Sequence, residues 1–234
     1  MRRPSTLFAG VLLAIAAFAA TAKGQLQAGP TLVELPAGSA AGRMTLDNSG
    51  DAPLAAQVRI YAWSQVDGVD RLEPTGDVVA SPAISEIAAG GEQVVRLVRQ
   101  GAAPAGVDLS YRVVVEELPG EGQDNTVNIR MRYVIPMFLR AADAPAPVLA
   151  CRIAASQLTC TNSGGRAAQL GASRLKGADG HEAVLSGGLY GYVLPGMSRR
   201  WALDPTQLAA GNASLVLETQ INGQSAALPV SRSP

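Results

Sequence analysis

This chain offers few side chains with which to do chemistry. It has one histidine, His181, and two cysteines, Cys151 and Cys160, in 234 residues. His181 falls in the turn Ala178-Asp179-Gly180-His181, where a solvent-exposed role is the ordinary one. One imidazole cannot build a His-based zinc triad, and Ser-His-Asp hydrolysis would need partners that no stretch nominates. Gly-x-Ser-x-Gly elbows, phosphate loops and dinucleotide fingerprints are absent from the sequence. Glu116-Glu117 ends the run SYRVVVEEL. Neighbours on a strand face opposite sides, so the two carboxylates cannot work together as acid and base. Asn212-Ala213-Ser214 matches a glycosylation sequon, a pattern frequent by chance. The expectation is no enzyme, no cofactor and no metal.

Cys151 and Cys160 flank RIAASQLT, a length that suits two short strands folded back on each other. A disulfide across a hairpin is expected. The competing reading, a metal or redox pair, would favour Cys-x₂-Cys with a nearby histidine. The compartment supports the disulfide. Arg2 and Arg3, the apolar run Leu7 to Ala20 and the small-x-small site Ala20-Thr21-Ala22 read as a secretory signal peptide over residues 1–22. The run is shorter than the ~20 residues a membrane span needs. The mature chain is therefore expected to be soluble outside the cytoplasm, where thiols oxidise. Lys and Arg number 19, as do Asp and Glu, and losing Arg2 and Arg3 leaves a slight acidic excess. That balance points away from nucleic acid.

The elements are strands. With 25 Gly, 15 Pro and only 4 % aromatics, the composition favours many short strands and turns. The longest strict alternation is NTVNIRMRYVIPMFLR, residues 125–140. Val127, Ile129, Met131, Tyr133, Ile135, Met137 and Leu139 share one face. The other face runs Asn128, Arg130, Arg132, then Val134, Pro136 and Phe138, and the sequence places Val134 and Phe138 in the protein's own core. Pro136 gives no amide to a ladder, so it marks a sheet edge or a point where pairing stops. The stripe of Val127, Ile129 and Met131 is covered either by the protein's own second sheet or by another protein. The pattern leaves both open. About seven strands precede residue 140, a sandwich-like count. After the proline-rich connection AADAPAP, residues 141–147, a second strand series follows.

The order of these features resembles the periplasmic chaperones of the chaperone-usher pathway, which assemble fimbriae and pili, and is most similar to their archaic branch. MTLDNSG (44–50), SPAISEIAAGGEQVVRLVR (81–99), YRVVVEELP (111–119), IPMFLR (135–140) and GYVLPGMSRRWAL (191–203) carry the likeness. It implies an all-β chain with two immunoglobulin-like β-sandwich domains, 25–140 and 148–234, in an L or boomerang arrangement. It also implies a strand lent to a pilus or fimbrial subunit, with Val127, Ile129, Met131 and Tyr133 as donor residues, and an outer-membrane usher as second partner. The free protein could self-associate through the donor strand, and the sequence leaves its oligomeric state open. Family members hold the subunit's terminal carboxylate with two cleft cations, but Leu32 and Pro136 stand at those positions here. Arg96, Arg99, Arg130 and Arg132 are the substitutes considered, and solubilising surface charge is their alternative role. Glu117 and Arg140 match family positions of an interdomain ion pair. The reading from another class is an exported two-domain adhesion or scaffold module that caps nothing.

Overall fold

The computed structural model describes residues 25–120, 129–208 and 214–232. The leader expected over 1–22, donor residue Val127 and the sequon's Asn212 lie outside the described residues.

Ten strands precede Arg140: β1 (Leu26–Gly29), β2 (Val33–Leu35), β3 (Ala41–Asn48), β4 (Leu54–Val66), β5 (Val69–Pro74), β6 (Val78–Ser81), β7 (Ile84–Ile87), β8 (Glu92–Arg99), β9 (Leu109–Glu117) and β10 (Arg132–Leu139). They form a four-stranded sheet, β1-β3-β8-β6, and a second sheet, β2-β10-β9-β4-β5, with β7 added on β4. Alternation decides which side of each strand is buried. Met44 and Leu46 from β3 and Val95 and Leu97 from β8 meet Tyr111, Val113 and Val115 from β9 and Ile135, Met137 and Leu139 from β10 in one core. Each aliphatic side chain so buried contributes about 1.5 to 3 kcal/mol. The β4–β5 turn is Asp67-Gly68, both with positive φ, at 51° and 73°. Such a left-handed pair is what a two-residue Asp-Gly hairpin turn requires.

The second unit holds β11 (Leu149–Ala154), β12 (Gln157–Asn162), β13 (Ala168–Leu170), β14 (Ser173–Gly177), β15 (Glu182–Ser186), β16 (Gly191–Val193), β17 (Ser198–Ala202), a single helical turn α1 (Pro205–Leu208), β18 (Leu215–Ile221) and β19 (Gln224–Arg232). Its own core gathers Leu158, Leu170, Leu175, Val193 and Leu217. Cys151 and Cys160 are direct cross-strand partners in the β11–β12 hairpin and are joined by a disulfide, with Cα atoms 4.1 Å apart.

The units share a local device. Asn48 and Asn162 each open an Asn-Ser-Gly turn and are buried. Asn48 Nδ2 donates to the carbonyls of Ala52, Ile87 and Ala88, and Asn162 Nδ2 to those of Arg166 and Val193. Each Oδ1 accepts the amide two residues on, from Gly50 and Gly164. A buried amide satisfied this fully pins its turn to the neighbouring loop.

Candidate functional site

The site grows from the half-paired strand β10. Along its length it pairs with β9, from Arg132 opposite Glu116 to Leu139 opposite Leu109. On its other side β2 reaches only Met137 to Leu139, in parallel. Among the described residues, 132–136 therefore present a free edge, and Pro136, which has no amide to donate, stands where pairing with β2 stops. Below Arg132 the chain stays tied to β9. Glu117 N donates to Met131 O at 3.0 Å, and Met131 N donates to Glu117 Oε2 at 3.2 Å.

The odd-numbered stripe changes character along this edge. Leu139, Met137 and Ile135 fill the core. Tyr133 packs against that core and donates its hydroxyl to Leu26 O at 2.8 Å. Met131 is 37 % exposed and Ile129 83 % exposed. The protein's own second sheet covers neither, so two large apolar side chains sit beside unpaired backbone. Such an edge is what an added strand requires.

The even-numbered face corrects one expectation. Val134 is 45 % exposed and belongs to no core. Phe138 is buried, but it packs in the joint between the units rather than in either sandwich. Its ring centroid lies 6.1 Å from that of Trp63 and 6.0 Å from that of Tyr192, and Trp63 and Tyr192 meet edge to face at 5.4 Å. Alternation told the two faces apart without telling which one the core would take.

The joint is clasped by the β4–β5 hairpin. Buried Gln65 donates to Tyr192 O at 2.8 Å and to Asp70 Oδ1 at 3.0 Å, and accepts from Leu194 N at 3.0 Å. Asp70 also pairs with Arg199 at 3.1 Å, while Gly68 O accepts Arg200 N at 2.9 Å. A Cβ on Gly68 would stand 2.4 Å from the Arg200 side chain, so the approach needs glycine.

Arg112 was missed by the sequence reading. It lies on β9 directly opposite Pro136, with its guanidinium 3.6 Å over the Trp63 ring and 5.6 Å from that of Tyr192. Burial pushes its pKa down, and nearby Asp70 opposes that shift. No carboxylate forms an ion pair with it among the described residues, and the aromatic faces add to the field of Asp70 in offsetting its burial. A lone cation directly ahead of the apolar Val113-Val114-Val115 in SYRVVVEEL was the available signal.

On the far side of Phe138 a hollow of about 410 Å³ opens between the units, lined by Leu32, Glu34, Arg140, Arg166 and Tyr192. Arg140 does not meet Glu117. The β9–β10 register puts Glu117 beside Met131 and Arg140 past the other end of the ladder, about 30 Å away along the strand. Arg140 instead pairs with Asp108, whose side chain is fully buried, and with Glu34. Burial would lower its pKa, but hydrogen bonds to these two carboxylates outweigh it and the pKa rises. Asp108 also accepts Ala141 N at 2.9 Å, which fastens the start of the inter-unit connection.

The other candidate cations are scattered. Arg96 and Arg99 belong to β8, between β3 and β6 in the other sheet. Arg132 pairs with Glu116 at 3.1 Å. Arg130 is exposed beside Ile129, with no ion pair among the described residues.

Comparison with known proteins adds a family and a fold. The family described as pili and flagellar-assembly chaperone, PapD N-terminal domain, matches residues 25–144, just over half of the chain. No curated protein sequence matches. Among solved structures, one similar chain comes from the CsuC–CsuE chaperone–tip adhesion subunit pre-assembly complex of archaic chaperone-usher Csu pili of Acinetobacter baumannii. Identity is 22 %, with 90 % of this chain and 100 % of that chain covered and a TM-score of 0.69. The E. coli chaperone DraB gives 18 % identity, 89 % and 98 % coverage and a TM-score of 0.61. The Salmonella enterica SafA pilin–SafB chaperone complex gives 16 %, 90 % and 97 %, and 0.63. At these identities the likeness establishes the fold, two immunoglobulin-like β-sandwich domains.

Proposed function

The chain belongs to the pili and flagellar-assembly chaperone family, and from that premise we propose that it caps a pilus or fimbrial subunit by lending it the free part of β10. The observation that carries this reading is the exposure of Ile129 and Met131 on an edge that Pro136 leaves unpaired. A subunit that lacks one strand exposes a groove with pockets at alternate positions. Ile129 and Met131, with Val127 before them, fill successive pockets while the backbone of 129–136 supplies ladder hydrogen bonds. Tyr133, expected from the sequence to be a donor residue, is committed to the protein's own core and to Leu26 O and stays out of the groove. Burying Ile129 and Met131 contributes about 1.5 to 3 kcal/mol each. Ordering the subunit takes back part of it.

Arg112 takes the subunit's terminal carboxylate. It stands next to Pro136 across the ladder, is already partly desolvated and forms no ion pair among the described residues. A planar guanidinium suits bidentate carboxylate binding.

The leader over 1–22 sends the chain to the periplasm, where the Cys151–Cys160 bridge forms. The capped subunit is passed to an outer-membrane usher. Residues 25–140 act as the capping domain, 141–147 as the connection and 148–234 as the second domain, a division supported by their separate cores.

Amide hydrogen exchange tests the reading. Adding the cognate subunit should slow exchange across residues 129–135 by about ten-fold or more. Unchanged exchange there, in a complex that has demonstrably formed, would place the subunit elsewhere.

A further inference from the structure

The outer face of the four-stranded sheet carries a charge pattern that the capping edge does not use. In the antiparallel β3–β8 pair, Asp47 stands opposite Glu92, Thr45 opposite Val94 and Arg43 opposite Arg96. Met44, Leu46 and Val95, which lie between them, and Leu97, next to Arg96, point into the core, so these six face outward. Two rows of like charge thus lie either side of a neutral row. Like charges directly opposite each other on a sheet destabilise it. Within one molecule the rows cannot help each other, because four residues of strand separate them, about 13 Å. None of the four charged side chains has an ion pair or side-chain hydrogen bond among the described residues.

We propose that this face pairs with the same face of a second copy of the chain. The pattern is self-complementary under a two-fold axis that lies in the interface and crosses the strands along the Thr45–Val94 row. Half a turn about that axis lays Asp47 and Glu92 of each copy over Arg43 and Arg96 of the other, so every unpaired charge gains an opposite partner. It also brings Val94, 44 % exposed, against its own counterpart on the axis. Such an isologous contact closes at two copies. The face lies in the sheet that does not contain β10, so the dimer keeps the capping edge free.

Sedimentation of the purified protein across a concentration series tests this. Wild type should dimerise, and more weakly at high salt, which screens exposed charges. R43E/R96E makes both rows acidic and D47R/E92R makes both basic. Each alone should stay monomeric where wild type is half dimeric, and a one-to-one mixture should form the heterodimer. The fully exchanged variant R43E/R96E/D47R/E92R, which keeps the charge count, should dimerise again, so poor folding of a single-row variant leaves the question answerable. Ile129→Glu should leave this dimer intact. A wild type that stays monomeric, a dimer that survives R43E/R96E, or one that Ile129→Glu abolishes would each overturn the proposal.

Discussion

Arg112 and Pro136 face each other across the β9–β10 ladder, and the Arg112 guanidinium lies 3.6 Å over the Trp63 ring. Pro136 ends the pairing with β2 and opens the edge. Arg112 supplies a cation beside it, stacked on aromatic rings and in no ion pair among the described residues. On the capping proposal, the position at which the strand becomes available is also the one at which the subunit's carboxylate is received.

Arg112→Ala should weaken subunit binding by ten- to a hundred-fold, the equivalent of about 1.5 to 3 kcal/mol for a hydrogen bond to a charged group. Titration calorimetry reads this directly. Amidating the subunit's last residue should reproduce the loss in wild type and add little to Arg112→Ala, since coupled groups are not additive. Additive losses would place the carboxylate elsewhere.

The two carboxylates on Arg140 should count unequally. Asp108 is fully buried at the side chain and Glu34 is 44 % exposed there. Asp108→Ala leaves a partly buried cation short of its main partner and should cost about 3 to 5 kcal/mol in denaturant unfolding. Glu34→Gln should cost at most about 1 kcal/mol. Equal losses would mean that burial does not set the strength of this pair.

Alkali should unfold the protein through its buried tyrosines. Burial first, then the hydrogen bond of 3.0 Å to Asp77, raises the Tyr111 pKa, and burial raises those of Tyr190 and Tyr192. A folded-state pKa above the unfolded value of about 10 stabilises the fold fully below pH 10, and that contribution is lost as pH rises toward the folded value. Stability should therefore fall above about pH 10. Tyr111→Phe should flatten the fall, and an unchanged slope in that variant would contradict the assignment.

The two even-face residues of β10 should part company. Phe138→Ala empties the joint against Trp63 and Tyr192 and should cost about 3 to 5 kcal/mol. Val134→Ala, at an exposed position, should stay within about 0.5 kcal/mol. Chemical denaturation of both variants checks this, and a large loss at Val134 would contradict its exposure.

Much of this was legible in the sequence, and the failures have physical causes. Pro136 announced the end of pairing because a missing amide is a property of the residue alone. Cys151 and Cys160 announced their bridge because a hairpin of that length brings its ends together. β5 escaped notice because all six of its residues are exposed, and a strand with no buried face leaves no alternation to read. The Glu117–Arg140 pairing failed on register. A short connection after β9 already implied an antiparallel hairpin, which puts Glu117 beside residue 131 and leaves Arg140 to meet whatever opens β9, namely Asp108. Gln65 and Arg112 were hidden for a different reason, since their partners come from the second unit or from a ring 49 residues away in sequence, and no local period encodes such contacts.

The capping account rests on Ile129 being apolar for a partner's sake. In Ile129→Glu the purified protein should melt within about 0.5 kcal/mol of wild type, as exposed positions usually do. The same variant should fail to retain the cognate subunit when the two are co-expressed and purified, because an unpaired carboxylate buried in an apolar groove costs several kcal/mol. A variant that still captures subunit at wild-type yield, or one that unfolds on its own, would contradict the account.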